Sequence, residues 1–569
     1  MTPALAALCA FGAYFLGYRF YSKFLAERVF QLDPAAVTPA HELQDGVDYV
    51  PTRPAILFGH HYASITGLAP MLGPAVAVIW GWLPALLWVV FGAILVGCVH
   101  DFSAMVISVR NRGMSVGQAA ERVIGPRGRT LFHLIIFFGI SLAMGVFVFV
   151  IARLFAVELV PGHPGHPGAV LPSGLLMIVA MICGVLLYKK GLPLLPVAAV
   201  GFAIELFAIW LGMKFPTMGL DPTSWPKPDM WTYILLAYAF AASVLPVWAL
   251  LQARDFLNGL LLYLGLGLAY LGLFVGQPEF AAPAVRANPE GAPSLVPLVF
   301  IVIACGAASG FHGLVSSGTT AKQLDKETHA RPIGYGAMIG ESLLGLLATL
   351  ACTAGMASPE LWHSHYPNWA AVQALPIKID LFISGTTTFL TSLGIPAALG
   401  SALIAMVVVS FALTTLDSAT RLLRFNVEEI GATLGLPFTQ NRYLSSILAC
   451  VAIGFFAFYK LDVGGGVSKP AGLVLWTLFG TTNQILASLT LGLVSLYLKR
   501  RGSPVWPTLV PCIFMLCSTL YAMVQNLMKI QDRIVWGVGA ILMGIALWLV
   551  VEAVLALLRG PNEAATGQA

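Results

Sequence analysis

Charged side chains are scarce in this sequence. Asp, Glu, Lys and Arg make up 10% of the 569 residues, whereas 58% are hydrophobic, and the mean hydropathy is +0.84. A soluble protein of this length needs many more charges to cover its surface. The composition therefore predicts an all-α polytopic membrane protein that lies in a lipid bilayer. The net charge of +5 gives no sign of a nucleic-acid partner, and we expect none.

Closely paired cysteines are also missing. The eight cysteines are spread over apolar runs and their edges, and none forms a CxxC pair. This spacing argues against a disulfide framework and against a zinc site. We therefore expect no metal ion and no cofactor apart from a coupling ion.

The sequence lacks the motifs of several enzyme classes as well. It contains no G-x-x-x-x-G-K-[ST] loop, so it does not hydrolyse ATP through a P-loop. Neither an HExxH motif nor a nucleophile elbow is present, which leaves no signature of a metalloprotease or a serine hydrolase. We expect that the protein is not an enzyme.

Apolar runs recur along nearly the whole chain. Since about 20 apolar residues cross a bilayer core of about 30 Å as a helix, they predict about 15 transmembrane helices. We place these helices at residues 2–20, 58–80, 84–108, 131–157, 171–188, 192–213, 231–251, 256–276, 296–320, 333–357, 396–421, 443–460, 471–497, 505–527 and 534–558. The arginines of the loop at 110–129 put that loop in the cytoplasm, which leaves the N-terminus outside and the C-terminus inside.

Residues 58–74 interrupt one of these helices. The stretch combines glycines, prolines, histidines and hydroxyl side chains within an apolar span. A break of this kind leaves backbone groups unpaired in hydrocarbon, so it occurs where the chain lines a cavity or a bound solute. We interpret it as a broken helix at a substrate-binding site formed by Gly59, His60, His61, Ser64 and Thr66.

A second interruption is predicted five spans later, at Ser243, Pro246 and Trp248. Two broken helices in corresponding positions are typical of inverted-repeat transporters. We therefore predict a LeuT-like, APC-type core over residues 55–425, with halves at about 55–213 and 231–425. One extra helix at 1–30 precedes this core, the helices of 440–560 follow it, and residues 561–569 form a disordered tail. The alternative is that Pro246 is an ordinary helix kink.

A stripe of small polar residues follows one face of the predicted helix 296–320. It consists of Cys305, Ser309, His312, Ser316 and Thr319, and it continues into Ser317 and Thr320. We predict Ser309 and His312 as substrate contacts and the hydroxyls at 316–320 as ligands of a coupling ion. Packing of small residues between helices is the alternative.

Ionisable residues within the spans are further candidates for ion coupling or gating, because such residues are usually retained for a task. On helix 396–421, Thr414, Thr415, Asp417 and Ser418 form a polar segment in which Asp417 can pair with Arg421. A structural ion pair is the alternative. Asp101 and Glu341 complete the candidates.

Several motifs together resemble the carbon starvation protein A (CstA) family. They are FGHHYASITG at 58–67, HDF at 100–102, LPVW at 245–248 with RDFLN at 254–258, SGTT at 317–320 with KQ at 322–323, GYG at 334–336 with ES at 341–342, TTLDSATR at 414–421, and LFG at 478–480 with NQ at 483–484. The resemblance implies an uptake system of the bacterial inner membrane for pyruvate or short peptides, driven by protons and used when carbon is scarce. The N-terminus would then be periplasmic.

Other functions remain open from the residues alone. Sodium-coupled uptake of a small carboxylate or an amino acid fits the same hydroxyl groups, and a membrane nutrient sensor or an intramembrane enzyme belongs to a different class. The choice between pyruvate and peptide, and the oligomeric state, are not determined by the sequence.

Overall fold

The computed structural model describes residues 1–123, 125–160, 162–462, 468–529 and 533–558. These residues are mostly helical. Two short antiparallel strand pairs, β1 (Glu158–Val160) with β2 (His163–Pro164) and β3 (Lys460–Asp462) with β4 (Ser468–Pro470), lie between helices. The tail predicted at 561–569 lies outside the described residues.

The helices are numbered here in chain order. The first twelve are α1 (Pro3–Val29), α2 (Pro39–Glu42), α3 (Pro54–Ile65), α4 (Ala69–Trp80), α5 (Trp82–Arg110), α6 (Val116–Val123), α7 (Pro126–Phe155), α8 (Pro167–Lys189), α9 (Leu194–Lys214), α10 (Pro228–Val244), α11 (Leu251–Gly276) and α12 (Leu295–Val302). The others are α13 (Gly310–Val315), α14 (Glu327–Ala354), α15 (Pro359–His365), α16 (Trp369–Val372), α17 (Leu375–Thr391), α18 (Ala397–Leu434), α19 (Arg442–Phe458), α20 (Ala471–Val474), α21 (Trp476–Arg500), α22 (Trp506–Lys529) and α23 (Arg533–Leu558).

Ten helices of the described residues are long and apolar enough to cross a membrane, or eleven if the bent pair α3 and α4 is counted as one span. The protein is therefore a multi-pass membrane protein. The count of about 15 spans is not confirmed, because several further helices are shorter or less apolar than this criterion requires.

The break predicted within 58–80 is confirmed. Helix α3 ends at Ile65, α4 begins at Ala69, and the two are bent by 46°. Pro70 lies in the first turn of α4, where its missing N–H costs no helical hydrogen bond. The sequence thus ends one half-helix and starts the next within three residues.

The second interruption lies elsewhere than predicted. The expectation of one continuous helix over 296–320 is wrong, since α12 ends at Val302 and helix resumes only at Gly310. Gly306 takes a φ of +66° in the gap, a conformation that glycine adopts without strain. Cys305 and Ser309 therefore lie in the interruption and not on a helix face.

The break predicted at Ser243–Trp248 is wrong. Helix α10 ends at Val244 and α11 begins at Leu251, and α11 is long enough to cross the membrane by itself. The turn between them packs on the loop before α3, since the Val247 N–H donates to the Val47 carbonyl at 3.0 Å. Pro246 therefore lies between two helices, because it cannot continue the first one.

The two observed interruptions touch each other. A Cβ on Gly306 would lie 3.6 Å from Cα of Pro70, and one on Gly73 would lie 2.7 Å from the Val302 carbonyl oxygen. The contact at Gly306 is an ordinary van der Waals distance, whereas the one at Gly73 leaves no room for a side chain. Gly73 therefore allows the backbones of the two broken helices to pack against each other.

The loop between α2 and α3 is fastened by a buried ion pair. Asp48 lies 2.9 Å from Arg421 and 3.3 Å from Arg424, and Arg421 also donates to the carbonyls of Ala242 and Leu245. Burial by itself would raise the pKa of Asp48, but the charges of Arg421, Arg424 and Lys322 hold this pKa below its ordinary 3.8. Arg421 thus pairs with Asp48 and not with Asp417.

We predict that Asp48→Asn lowers the thermal unfolding temperature in detergent. The substitution removes the counter-charge of the fully buried Arg421, which costs about 3 kcal/mol for a buried pair. The pKa of Asp48 is lower in the folded protein than its ordinary value of 3.8. The Asp48 carboxylate therefore stabilises the folded protein above pH 3.8, and this stabilisation is lost as the pH falls through the folded-state pKa. Unfolding followed by tryptophan fluorescence between pH 7 and pH 3 measures both effects.

The matched control is Glu42→Gln, which breaks the exposed Arg112–Glu42 pair of 3.0 Å. Exposed ion pairs contribute about 0–1 kcal/mol to the free energy of unfolding, so Glu42→Gln should lower the unfolding temperature only slightly. Equal shifts for the two variants would show that Asp48 does not fasten the loop.

Candidate functional site

Buried polar side chains surround His60 of α3. His60 Nδ1 lies 2.7 Å from Asp255 Oδ2 of α11. His60 Nε2 lies 3.3 Å from the side-chain amide nitrogen of Gln323. Gln323 is at the end of the helical segment that starts with α13. All three side chains are inaccessible to solvent. One histidine therefore connects the first broken helix to α11 and to the second broken helix.

An arginine and two aspartates extend this cluster. Arg254 contacts Asp255 at 3.0 Å and also contacts Asp417 of α18. The Tyr238 hydroxyl donates to Asp417 as well. The pairing of Asp417 with Arg421, which its helical spacing allows, does not form, because Arg254 approaches from another helix. We call His60, Arg254, Asp255 and Asp417 the first cluster.

Hydroxyl groups connect the end of α3 to α18. The Ser64 and Ser418 hydroxyls are 2.8 Å apart, and the Thr415 hydroxyl donates to the Ser64 carbonyl at 3.3 Å. His61 Nδ1 lies 2.8 Å from the Thr320 hydroxyl. The structure therefore brings three segments that the sequence singled out, at 60–66, 316–320 and 414–418, into contact.

Four polar atoms in these segments are buried and have no hydrogen-bond partner among the described residues. They are His61 Nε2, the Thr66 hydroxyl, the Ser316 hydroxyl and Asp417 Oδ1. A buried polar group without a partner is costly, so each of these atoms is available to a solute or an ion.

A second cluster lies at the interruption between α12 and α13. His312 Nδ1 is 3.0 Å from Asp101 Oδ2, and His312 Nε2 is 3.2 Å from Glu341 Oε2. His100 contacts the other oxygen of Asp101 at 2.8 Å, and the Gly306 N–H donates to Glu341 Oε1 at 3.2 Å. We call Asp101, His312 and Glu341, with His100, the second cluster.

A cavity of about 310 Å³ lies between α4 and α12 and reaches Cys305 at the interruption. Its lining is mostly apolar. Polar groups come from the amides of Gln373, Gln525 and Asn526, and no charged side chain is among the residues that line it. The cavity therefore leads toward the junction of the broken helices without an electrostatic preference of its own.

Several predicted site residues lie apart from this junction or have structural contacts. The Ser243 hydroxyl pairs with Ser446, and Trp248 donates to the Gly46 carbonyl. Ser317 and Thr319 donate to carbonyls of their own helix, at Gly313 and Val315. Gly59 allows the close packing of α3 on α11, since a Cβ there would lie 3.2 Å from Cα of Phe256.

Other residues in these networks were missed from the sequence. Arg254 and Asp255 were placed at a helix end, because the start of α11 was predicted at 256 and not at Leu251. Adjacent opposite charges inside an apolar run were the available signal. Asn483 was missed as well, although its amide oxygen accepts from the Phe311 N–H at 2.9 Å and stabilises the start of α13.

Comparison with known proteins gives a consistent result over most of the chain. The family model "Carbon starvation protein CstA" matches residues 3–373 and 370–522. "Peptide transporter CstA" of Campylobacter jejuni is 32% identical, with 93% of this chain and 80% of that protein covered. "Pyruvate/proton symporter BtsT" of Escherichia coli is also 32% identical, with 90% and 80% covered.

Among solved structures, a manganese transporter of Eremococcus coleocola aligns with 91% of this chain and 98% of its own, at 12% identity and a TM-score of 0.45. At that score we draw nothing from the alignment.

We predict that Gly306→Ala destabilises the protein by about 1–2 kcal/mol, the cost of a left-handed conformation for a residue with a Cβ. A steric clash does not cause this loss, since the atom nearest to the added Cβ would be 3.6 Å away. Gly345→Ala is the matched control, because Gly345 faces Gly306 at similar distances and lies in the helix α14. If thermal unfolding shows equal losses for both, then close packing and not the backbone conformation requires glycine at 306.

Proposed function

Because this transporter belongs to the carbon starvation protein CstA family, we propose that it imports pyruvate or a short peptide by proton symport across the bacterial inner membrane when carbon is scarce. The observation that carries the proposal is the meeting of two broken helices beside a buried, charged cluster. Helices broken near a solute site are the recurring device of secondary transporters. The topology that accompanies this proposal has a periplasmic N-terminus and a cytoplasmic C-terminus.

The polar atoms without partners support a solute rich in oxygen. His61 Nε2 and the hydroxyls of Thr66 and Ser316 are donors that a carboxylate can use. The cavity of about 310 Å³ is at the lower end of the range of about 300–1,000 Å³ for ligand pockets. The three donor residues do not line this cavity, so its size bears on the solute that can approach them, and it favours pyruvate or a very short peptide over a long one.

The charges of the first cluster support proton coupling. One arginine faces two aspartates. If both carboxyls are ionised, the cluster carries one net negative charge while His60 is neutral, and a single proton on His60 brings the net charge of the cluster to zero. The groups that face His60 are Asp255, with Arg254 and Asp417 behind it, and Gln323. Since His60 connects both broken helices, a proton there would act on the elements that must move.

Sodium coupling is the second candidate, favoured by a different observation. Oxygens of Ser64, Thr415 and Ser418 gather where α3 ends, and the buried Thr66 hydroxyl beside them has no partner. Hard cations prefer oxygen ligands of this kind. The two candidates place the ion at different positions along α3, the proton at His60 and sodium near Ser64.

Uptake of labelled pyruvate and of a labelled dipeptide into proteoliposomes tests the proposal. An acidic exterior in sodium-free buffer should drive accumulation, and a protonophore should abolish it. Accumulation under a sodium gradient alone, unaffected by the protonophore, would assign coupling to the oxygens near Ser64. No uptake of either solute under any gradient would favour a sensor or an enzyme.

We further predict that His60→Gln abolishes accumulation driven by the pH gradient, with a loss of at least tenfold, while exchange of internal for external substrate continues. Glutamine keeps a hydrogen bond to Asp255 but carries no titratable proton. The control is His363→Gln, because His363 is exposed and its contacts are local, a hydrogen bond to the Pro359 carbonyl and an edge contact with the Trp362 ring. Normal accumulation by His60→Gln would exclude His60 as the proton carrier.

A further inference from the structure

Three side chains from separate segments converge at the second interruption. One ligand atom each of Cys305, His312 and Glu341 lies within 4.8 Å of the others, and all three residues are buried. Cys305 belongs to the gap, His312 to α13 and Glu341 to α14. Their spacing in the sequence resembles no metal motif, because the third residue comes from another helix.

The facing atoms of His312 and Glu341 are spaced like ligands of one ion. His312 Nε2 and Glu341 Oε2 are 3.2 Å apart, yet neither makes a hydrogen bond of normal geometry. Ligands at about 2.0 Å from a tetrahedral zinc ion are about 3.3 Å from each other. One ring nitrogen of His312 and one carboxylate oxygen of Glu341 lie within 4.8 Å of the Cys305 sulfur, and both side chains are fully buried.

The other polar atoms of His312 and Glu341 have hydrogen-bond partners of the kind found around metal ligands. His312 Nδ1 contacts Asp101 at 3.0 Å, and Glu341 Oε1 accepts the Gly306 N–H at 3.2 Å. A carboxylate behind a ligating histidine fixes the ring and leaves Nε2 for the metal. Asp101 is in turn held by His100 at 2.8 Å.

The charges of the side chains and the cavity beside Cys305 are both consistent with a bound divalent metal ion. A thiolate and a carboxylate together match the charge of a divalent cation. Of the three residues, Cys305 also lines the cavity of about 310 Å³ between α4 and α12, which gives an ion a path to the site. Sulfur with nitrogen and oxygen suits zinc-like transition metals and not Mg²⁺ or Ca²⁺.

We propose that Cys305, His312 and Glu341 bind a zinc-class divalent transition metal ion. The ion would tie the gap between α12 and α13 to α14. Its binding releases the thiol proton of Cys305 and any proton on His312 Nε2. The site itself does not depend on the proposed substrate or on proton coupling.

Cobalt provides a direct test on the full-length protein in detergent after treatment with a chelator. Co²⁺ should bind at one ion per chain and give the near-ultraviolet absorption of a cobalt thiolate. Cys305→Ser should abolish this band, whereas Cys352→Ser, a buried cysteine on α14, should retain it. Asp101→Asn should weaken binding about 10–100-fold, the usual effect of losing the carboxylate behind a ligating histidine.

The unmodified protein gives a second readout that does not depend on the folding of variants. Zn²⁺ should protect Cys305 from a small methanethiosulfonate reagent, as followed by mass spectrometry, and the other cysteines should react as before. Absence of the thiolate band, an unchanged band in Cys305→Ser, or no protection of Cys305 would overturn the proposal. The cluster would then hold only protons. None of these results depends on whether pyruvate uptake is observed.

Discussion

A polar group that this chain buries in the membrane needs a partner, either within the protein or in a bound solute or ion. Breaks in α3–α4 and α12–α13 leave backbone groups that hydrocarbon cannot satisfy. The protein answers with side chains from other helices: the Asn483 amide accepts from the Phe311 N–H, and the Glu341 carboxylate accepts from the Gly306 N–H. The breaks are therefore inseparable from the residues that surround them.

The same constraint explains why the charges occur in clusters. A lone buried charge costs several kcal/mol, whereas paired and hydrogen-bonded charges are tolerated. Arg254 is held between two aspartates, and His312 lies between two carboxylates. Each cluster joins elements distant in sequence, so a change in its charge acts on several helices at once. This coupling is the physical basis on which a transporter can link an ion to a change of conformation.

The two clusters differ in what they can hold. The first cluster contains nitrogen and oxygen groups only and is completed by an arginine, which repels a cation but tolerates a proton on His60. The second cluster lies beside the Cys305 thiol, and Cys305 also lines the cavity. The proton coupling proposed at the first cluster and the metal binding proposed at the second are therefore chemically separate and can be tested separately.

Sequence alone determined the class, the family and the first broken helix, since hydropathy, the motif at 58–67 and the closely spaced Gly67 and Pro70 are local features. It also identified most of the buried polar residues, because polar groups are conspicuous in apolar runs. It could not decide where the second break lies: Pro246 gave a strong local signal at a turn, whereas the real interruption depends on the left-handed backbone of Gly306 and on the close packing of Gly73 against Val302. Nor could it pair Asp417 with Arg254 or Cys305 with Glu341, because partners on different helices are chosen by packing and not by spacing along the chain.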